Sequence, residues 1–65
     1  MTTTKGTAHK LDYDEAVQVW LFHWEGHIQS RIAAMFDTNQ GRVNEVLKER
    51  KFIGSRSDAL KRKAA

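Results

Sequence analysis

Apolar residues recur in three groups along residues 13–47, each with the spacing of one helix face. The first group is Tyr13, Val17, Trp20, Leu21 and Trp24. The second is Ile28, Ile32, Met35 and Phe36, and the third is Val43, Val46 and Leu47. Spacings of three and four residues place each group on one side of an α-helix. The pattern therefore predicts an all-α fold with at least three helices.

Polar residues mark where these helices begin and end. Asp12 and Glu15 have the spacing of a capping box, and Gly26 is a typical terminator. The run VQVWLFHW is also rich in residues that favour strands, but the capping residues and the apolar stripe favour a helix over residues 12–26. A second helix of about three turns is predicted over 27–36. Asp37 and Thr38 interrupt it, and Asn39 is a good N-cap for a third helix over 39–50.

Val19 and Phe22 lie on the side of the first helix opposite its main apolar stripe. A helix that is apolar on two faces usually packs against two partners. One explanation is that flanking segments containing Leu11, or Phe52 and Ile53, fold over this second face. The other is that Val19 and Phe22 form a dimer interface. The sequence leaves both explanations open.

The two ends of the chain are polar and mostly basic. Residues 1–10 show no periodicity and are expected to form a flexible basic arm. Residues 54–65 are interpreted as a basic tail, or as a short helix capped by Ser55 or Ser57, and are expected to fray because Leu60 is their only large apolar residue. The predicted architecture is a bundle of three helices over 11–53, with a fourth short helix as the alternative for the tail.

The composition limits the classes of protein to consider. The chain has 65 residues, no cysteine and a formal net charge of +3. It can therefore bury only a small core, and it has neither disulfides nor thiolate metal sites. It has no apolar run that approaches the roughly 20 residues needed to cross a bilayer, and its N-terminus lacks a signal-peptide pattern. A cytoplasmic protein that contacts no membrane is expected, and the mild positive charge is compatible with a polyanionic partner.

The segment QSRIAAMFDTNQGRVNEVLK, residues 29–48, resembles the DNA-binding helix-turn-helix of phage repressors, resolvases and small bacterial regulators. That motif has apolar residues at its fourth, eighth, fifteenth and eighteenth positions and a small residue at its fifth. The matching residues here are Ile32, Phe36, Val43, Val46 and Ala33. The physical role of the small residue is to let the two helices cross closely, while the apolar four fix their angle.

Two positions depart from the motif. Its ninth residue is usually a glycine in the left-handed conformation and is Asp37 here, and its tenth is usually a larger aliphatic residue and is Thr38 here. Aspartate tolerates the left-handed conformation better than most residues, so the expected turn is strained but allowed.

The resemblance implies that the helix over 39–50 lies in the major groove of double-stranded DNA. The residues placed at the DNA are Gln29, Ser30, Asn39, Gln40, Gly41, Arg42, Asn44, Glu45 and Lys48. Glutamine or asparagine can pair with adenine, arginine with guanine, and glutamate with cytosine. Gln29 and Ser30 are expected at phosphates, and Gly41 would let the backbone approach the duplex. An ordinary solvated surface is the competing explanation for each residue, although together these polar side chains favour recognition.

Basic residues near both ends are further candidates for phosphate contacts. They are Lys5, Lys10, Arg56, Lys61, Arg62 and Lys63. A basic terminus that only improves solubility explains the last four equally well.

The sequence gives little indication of a catalytic site or a metal site. His23 and His27 are four residues apart, but Gly26 interrupts the helix between them and no third ligand is evident. No catalytic residues, cofactor, metal site or small-molecule substrate are predicted, because so short a chain can hardly enclose a water-excluded pocket.

The expected function is sequence-specific double-stranded DNA binding by a small transcriptional regulator associated with the nucleoid. A homodimer is expected, since specific binding usually needs two half-sites. The alternative is a protein-interaction module, such as an antirepressor, antitoxin or recombination accessory factor, built on the same helices.

Overall fold

Four α-helices form the fold in a computed structural model that describes residues 10–64. They are α1 (Tyr13–Trp24), α2 (Gln29–Met35), α3 (Gln40–Leu47) and α4 (Ser55–Ala64). No strand occurs within this part of the chain, so VQVWLFHW is helical and the predicted all-α class is confirmed. Helix α2 is shorter than predicted, with seven residues, or about two turns. No helix in the described range is long and apolar enough to span a bilayer.

Both ends of α1 are fixed by local hydrogen bonds. The Glu15 amide donates to Oδ1 of Asp12 at 2.8 Å, and the Asp12 amide donates to Oε1 of Glu15 at 3.0 Å, which confirms the capping box. At the other end Gly26 has φ +102°, and its amide donates to the His23 carbonyl at 3.1 Å. The next amide, of His27, donates to the Phe22 carbonyl at 3.2 Å. This pair of bonds is a Schellman motif, in which the left-handed residue ends the helix.

The core collects the apolar faces of all four helices around α1. Its buried members are Leu11, Ala16, Val17, Val19, Trp20, Ile32, Ala33, Val43, Val46 and Ala59. Three residues of the predicted apolar groups lie outside it, since Tyr13 is 41% exposed, Ile28 is 66% exposed and Met35 is 43% exposed. Helix α1 packs against each of the other three helices, whereas α4 packs against α1 alone. Because α1 has neighbours on two sides, it is buried on two faces.

This packing contradicts the predicted dimer contact of Val19, whereas the predicted contact of Phe22 stays a prediction. Val19 is completely buried within one chain and shares the core with Leu11 and Ala59. Phe22 is half-buried, and its ring lies 6.1 Å from that of Phe36 in an edge-to-face arrangement. The second apolar face of α1 is therefore covered by the protein itself, so Val19 cannot contact another copy.

The C-terminal segment is helical and packs against α1, so the short helix that the sequence offered as an alternative is observed. Helix α4 has ten residues, and it buries Ser55 and Ala59 against α1. The indole Nε1–H of Trp20 donates to Oγ of Ser55 at 3.1 Å inside this contact. Ser55 is thus the first residue of the helix and a buried partner of α1, not an exposed cap. The folded domain extends through α4 and does not stop at residue 53.

A second polar contact joins the beginning of α1 to α4. The Tyr13 hydroxyl donates to Oδ2 of Asp58 at 2.6 Å, and the Tyr13 ring meets that of Phe52 edge to face at 6.4 Å. The hydrogen bond to Asp58, followed by desolvation, raises the pKa of Tyr13 above its ordinary value. Gly54 has φ +102°, and a side chain there would approach the Tyr13 hydroxyl to 3.2 Å, so the connection before α4 is fitted closely to this tyrosine.

Candidate nucleic-acid interface

A tight turn joins α2 to α3 and sets how α3 is presented. Asp37 has φ +54°, in the left-handed region, as the sequence predicts. Its amide donates to the Ala34 carbonyl at 3.2 Å, and the Thr38 amide donates to the Ala33 carbonyl at 2.9 Å. These bonds form a second Schellman motif, with aspartate at the position that glycine usually occupies. The chain therefore reverses direction directly after α2, and the two helices pack against each other.

Asn39 caps the beginning of α3. Its Oδ1 accepts a hydrogen bond from the Arg42 amide at 3.0 Å. A Cβ atom at Gly41 would stand 3.2 Å from that same oxygen, so the glycine leaves room for the cap. The side-chain oxygen of Asn39 is thereby committed to the helix. Its amide nitrogen and the second lone pair of the oxygen remain for contact with a ligand.

The predicted contact residues of α3 fall on two different sides of the helix. Gln40, Gly41 and Lys48 are exposed and Asn44 is half-buried, and their spacing places all four along one edge, which we call the α3 edge. Arg42 is rotated about 100° from Gly41 and turns toward the segment that follows α3. The α3 edge is therefore narrower than predicted, because Arg42 does not belong to it.

Arg42 instead lines a cleft of about 270 Å³ beside α3. The lining residues are Lys10, Leu11, Arg42, Glu45, Lys51 and Phe52. Nη1 of Arg42 lies 4.0 Å from Oε1 of Glu45, beyond hydrogen-bonding distance. Glu45 therefore belongs to the wall of the cleft, together with Arg42. Neither Lys10 nor Lys51 was grouped with Arg42 by sequence reasoning, since they are far from it along the chain.

Helix α2 presents further polar side chains at its first turn. Ser30 is exposed and Gln29 is half-buried. The N-cap of this helix is Ile28, which has no side-chain hydrogen bond to offer. Arg31 is also exposed and follows directly in the chain, but sequence reasoning did not include it among the candidate residues. Its proximity to Ser30 was the available signal.

The basic residues of α4 mostly contact α1, and their predicted contacts with phosphate stay a prediction. Nη2 of Arg62 lies 2.7 Å from Oδ1 of Asp14. Arg56 lies over the ring of Trp20 at 5.9 Å and Lys63 over the ring of Trp24 at 5.8 Å. Such cation–π contacts are weakly stabilising at exposed sites. All of these cations remain exposed, but they stand on an ordered helix.

The same ion pair changes the titration of its carboxylate. The hydrogen bond from Arg62, assisted by one from the Gln18 amide at 2.8 Å, lowers the pKa of Asp14 below its ordinary value.

Lys61 is the remaining base of the predicted set and is exposed. Lys5 lies outside the described residues, whereas Lys10 belongs to the cleft.

His23 in α1 and His27 in the connection after α1 both contact aromatic rings. The His23 ring meets Trp20 edge to face at 6.2 Å, and the His27 ring meets Phe22 at 5.6 Å. Nε2 of His27 also lies 3.6 Å from Oε1 of Glu25. Within residues 10–64, no three histidine or acidic side chains are grouped as a metal site would require.

Comparison of the chain with protein families, with curated proteins and with solved structures finds no match. The α3 edge, the cleft and the first turn of α2 are therefore interpreted from their own geometry.

Proposed function

We propose that this protein binds double-stranded DNA by placing α3 in the major groove. The observation that carries the proposal is the α3 edge, where Gln40, Asn44 and Lys48 succeed one another at single-turn spacing. The turn at Asp37 supports it, because its left-handed conformation is the one the resembled motif requires. Such binding would associate the protein with the nucleoid of a bacterium or with a mobile element.

The chemistry of the α3 edge suits base edges. The carboxamides of Gln40 and Asn44 each carry a donor and an acceptor, which is the pattern that pairs with adenine in the major groove. Lys48 adds a cation one turn further on, suited to a guanine or a phosphate. Ser30 and Arg31, exposed at the first turn of α2, are proposed as phosphate contacts that orient α3.

The length of α3 argues for two copies on the DNA. From Gln40 to Lys48 the helix advances about 12 Å at 1.5 Å per residue, which covers only three or four base pairs. So short a site specifies little sequence. Helix-turn-helix proteins usually increase their specificity by binding as dimers to two half-sites about 34 Å apart. We therefore propose a homodimer. Since Val19 is buried, the dimer contact would use other apolar side chains. Ile53 (77% exposed) and Leu60 (45% exposed) are exposed apolar residues outside α2 and α3.

Binding to random-sequence duplex, measured by fluorescence anisotropy at two salt concentrations, tests this proposal. We expect binding that weakens steeply with salt, because phosphate contacts release counterions. In a selection from random duplexes, Gln40→Ala and Asn44→Ala should change the preferred bases. Gln18→Ala on α1 is the matched amide control and should not. Lys61→Ala should weaken binding to every sequence alike.

A protein-interaction module is the second candidate function, and one observation favours it. Ile28 (66% exposed) and Met35 (43% exposed) are seven residues apart and share one side of α2. Exposed apolar side chains on one face are typical of surfaces that contact other proteins. The absence of duplex binding even at low salt would reject the DNA proposal and favour this one. A changed base preference in Gln40→Ala would do the reverse.

A further inference from the structure

The cleft beside α3 brings together three cations from separate parts of the chain. Lys10 precedes α1, Arg42 lies in α3, and Lys51 follows α3. With the carboxylate of Glu45, the lining has a formal charge of +2. We propose that this cleft binds a phosphate monoester that carries a flat apolar group. The proposal is independent of DNA reading, because Arg42 lies off the α3 edge.

Arg42 provides the first argument for an anion. Its Nε is buried and has no hydrogen-bond partner among the described residues. Its Nη1 is 4.0 Å from Glu45, too far for a hydrogen bond. A buried donor without a partner is costly, so such groups usually have a function or a ligand. A guanidinium matches the oxygen atoms of a phosphate in charge and geometry.

The balance of charge favours phosphate over a carboxylate. A phosphate monoester carries about −1.5 to −2 charges at pH 7, which the net +2 of the lining can neutralise. A single carboxylate would leave a positive charge unbalanced. Lys10 and Lys51 are both exposed and can approach the anion from the mouth of the cleft.

The remaining walls favour an apolar group on the ligand. Leu11 is 8% exposed, and Phe52 is half-buried with its ring steadied by Tyr13. Phe52 also has φ +54°, a conformation rarely adopted by bulky residues. Strained backbone of this kind concentrates at binding sites. The volume of about 270 Å³ is small for a ligand pocket, so it fits a single ring with its phosphate.

A titration of the whole ¹⁵N-labelled protein with phenyl phosphate tests the site by two-dimensional NMR. At constant ionic strength we expect saturable shifts of the Arg42, Glu45 and Phe52 amides, and tighter binding than inorganic phosphate because of the apolar walls. Arg42→Gln should weaken binding by about tenfold or more, as expected for loss of a charged hydrogen bond. Lys51→Gln, an exposed change that leaves the core intact, should also weaken it. Lys61→Gln is the matched control and should not.

Three results would overturn the proposal. The amide shifts could rise linearly with phenyl phosphate without saturating, or sodium chloride could produce the same shifts. The Arg42→Gln and Lys61→Gln proteins could also bind phenyl phosphate with equal affinity. A second arm adds a short DNA duplex to the phenyl phosphate complex. Displacement of phenyl phosphate would assign the phosphate site to the nucleic-acid backbone, whereas simultaneous binding would assign it to a small molecule. Because the first arm contains no DNA, failure of the cleft proposal leaves the DNA proposal standing, and the converse also holds.

Discussion

The buried hydrogen bond between Trp20 and Ser55 gives the sharpest prediction about stability. Ser55 is 1% exposed and Trp20 is 5% exposed, so the indole N–H donates to Ser55 Oγ out of reach of solvent. Ser55→Ala removes the acceptor and leaves the donor buried without a partner. That loss costs about 1–3 kcal/mol. A domain of 65 residues has a total stability of about 3–10 kcal/mol, so the loss is a large fraction of it.

Urea and thermal unfolding followed by circular dichroism measure this effect. For a chain of this size, 1 kcal/mol corresponds to about 4–8 °C, so Ser55→Ala should lower the midpoint by roughly 10 °C. Ser57→Ala is the matched control, since Ser57 is an exposed serine of the same helix. In a Trp20→Phe background, which has no donor, the Ser55→Ala change should cost much less. Equal stabilities of the Ser55→Ala and Ser57→Ala proteins would refute the reasoning, and with it the docking of α4.

Three further predictions concern a helix end, a buried hydroxyl and an ion pair. Glu49 has φ +58°, so Glu49→Gly should raise the free energy of unfolding by about 0.5–1 kcal/mol in urea. Thr38 Oγ1 is buried with no partner among the described residues, so Thr38→Val should stabilise by about 1 kcal/mol. Destabilisation by Glu49→Gly would contradict the strain at Glu49, and destabilisation by Thr38→Val would contradict the unpaired hydroxyl of Thr38. Arg62 lowers the pKa of Asp14 in the folded protein. The stability that this ion pair contributes is therefore present above pH 3.8 and is lost as the pH falls through the lower folded-state pKa. In Arg62→Gln the free energy of unfolding should therefore fall less steeply with decreasing pH. An unchanged slope of that free energy against pH would exclude the ion pair.

Features decided by short-range contacts were predictable from the sequence. The capping box of Asp12 and Glu15, the termination at Gly26 and the cap at Asn39 each involve residues within a few positions of one another. The turn at Asp37 is of the same kind, because its two hydrogen bonds close within six residues. Local spacing therefore located the helices and the turn before α3.

Features decided by contacts between distant residues were not predictable in the same way. Helix α4 buries only Ser55 and Ala59, two small residues that produce no apolar stripe. Its docking depends on Trp20, which lies 35 positions earlier. Phe22, on the second apolar face of α1, meets Phe36 at the end of α2. Helical spacing alone does not show this contact, so Val19 looked available to another chain.

The candidate site was predictable only in part for the same reason. The α3 edge follows from helical spacing, so Gln40 and Asn44 could be placed on it. The direction of Arg42 depends on Lys51 and Phe52, which approach it through the connection after α3. A helical wheel separates Arg42 from the α3 edge, but it does not show which distant residues line the same cleft.

The central position of α1 has a consequence for how the molecule opens. Because α4 touches no helix except α1, it can detach while α2 and α3 stay paired. Partial opening of this type costs less than complete unfolding. Deuterium should therefore enter the backbone amides of α4 first and those around Val17 and Val19 last. The gap between those two exchange rates would measure how far the C-terminal helix behaves as a separate cooperative unit.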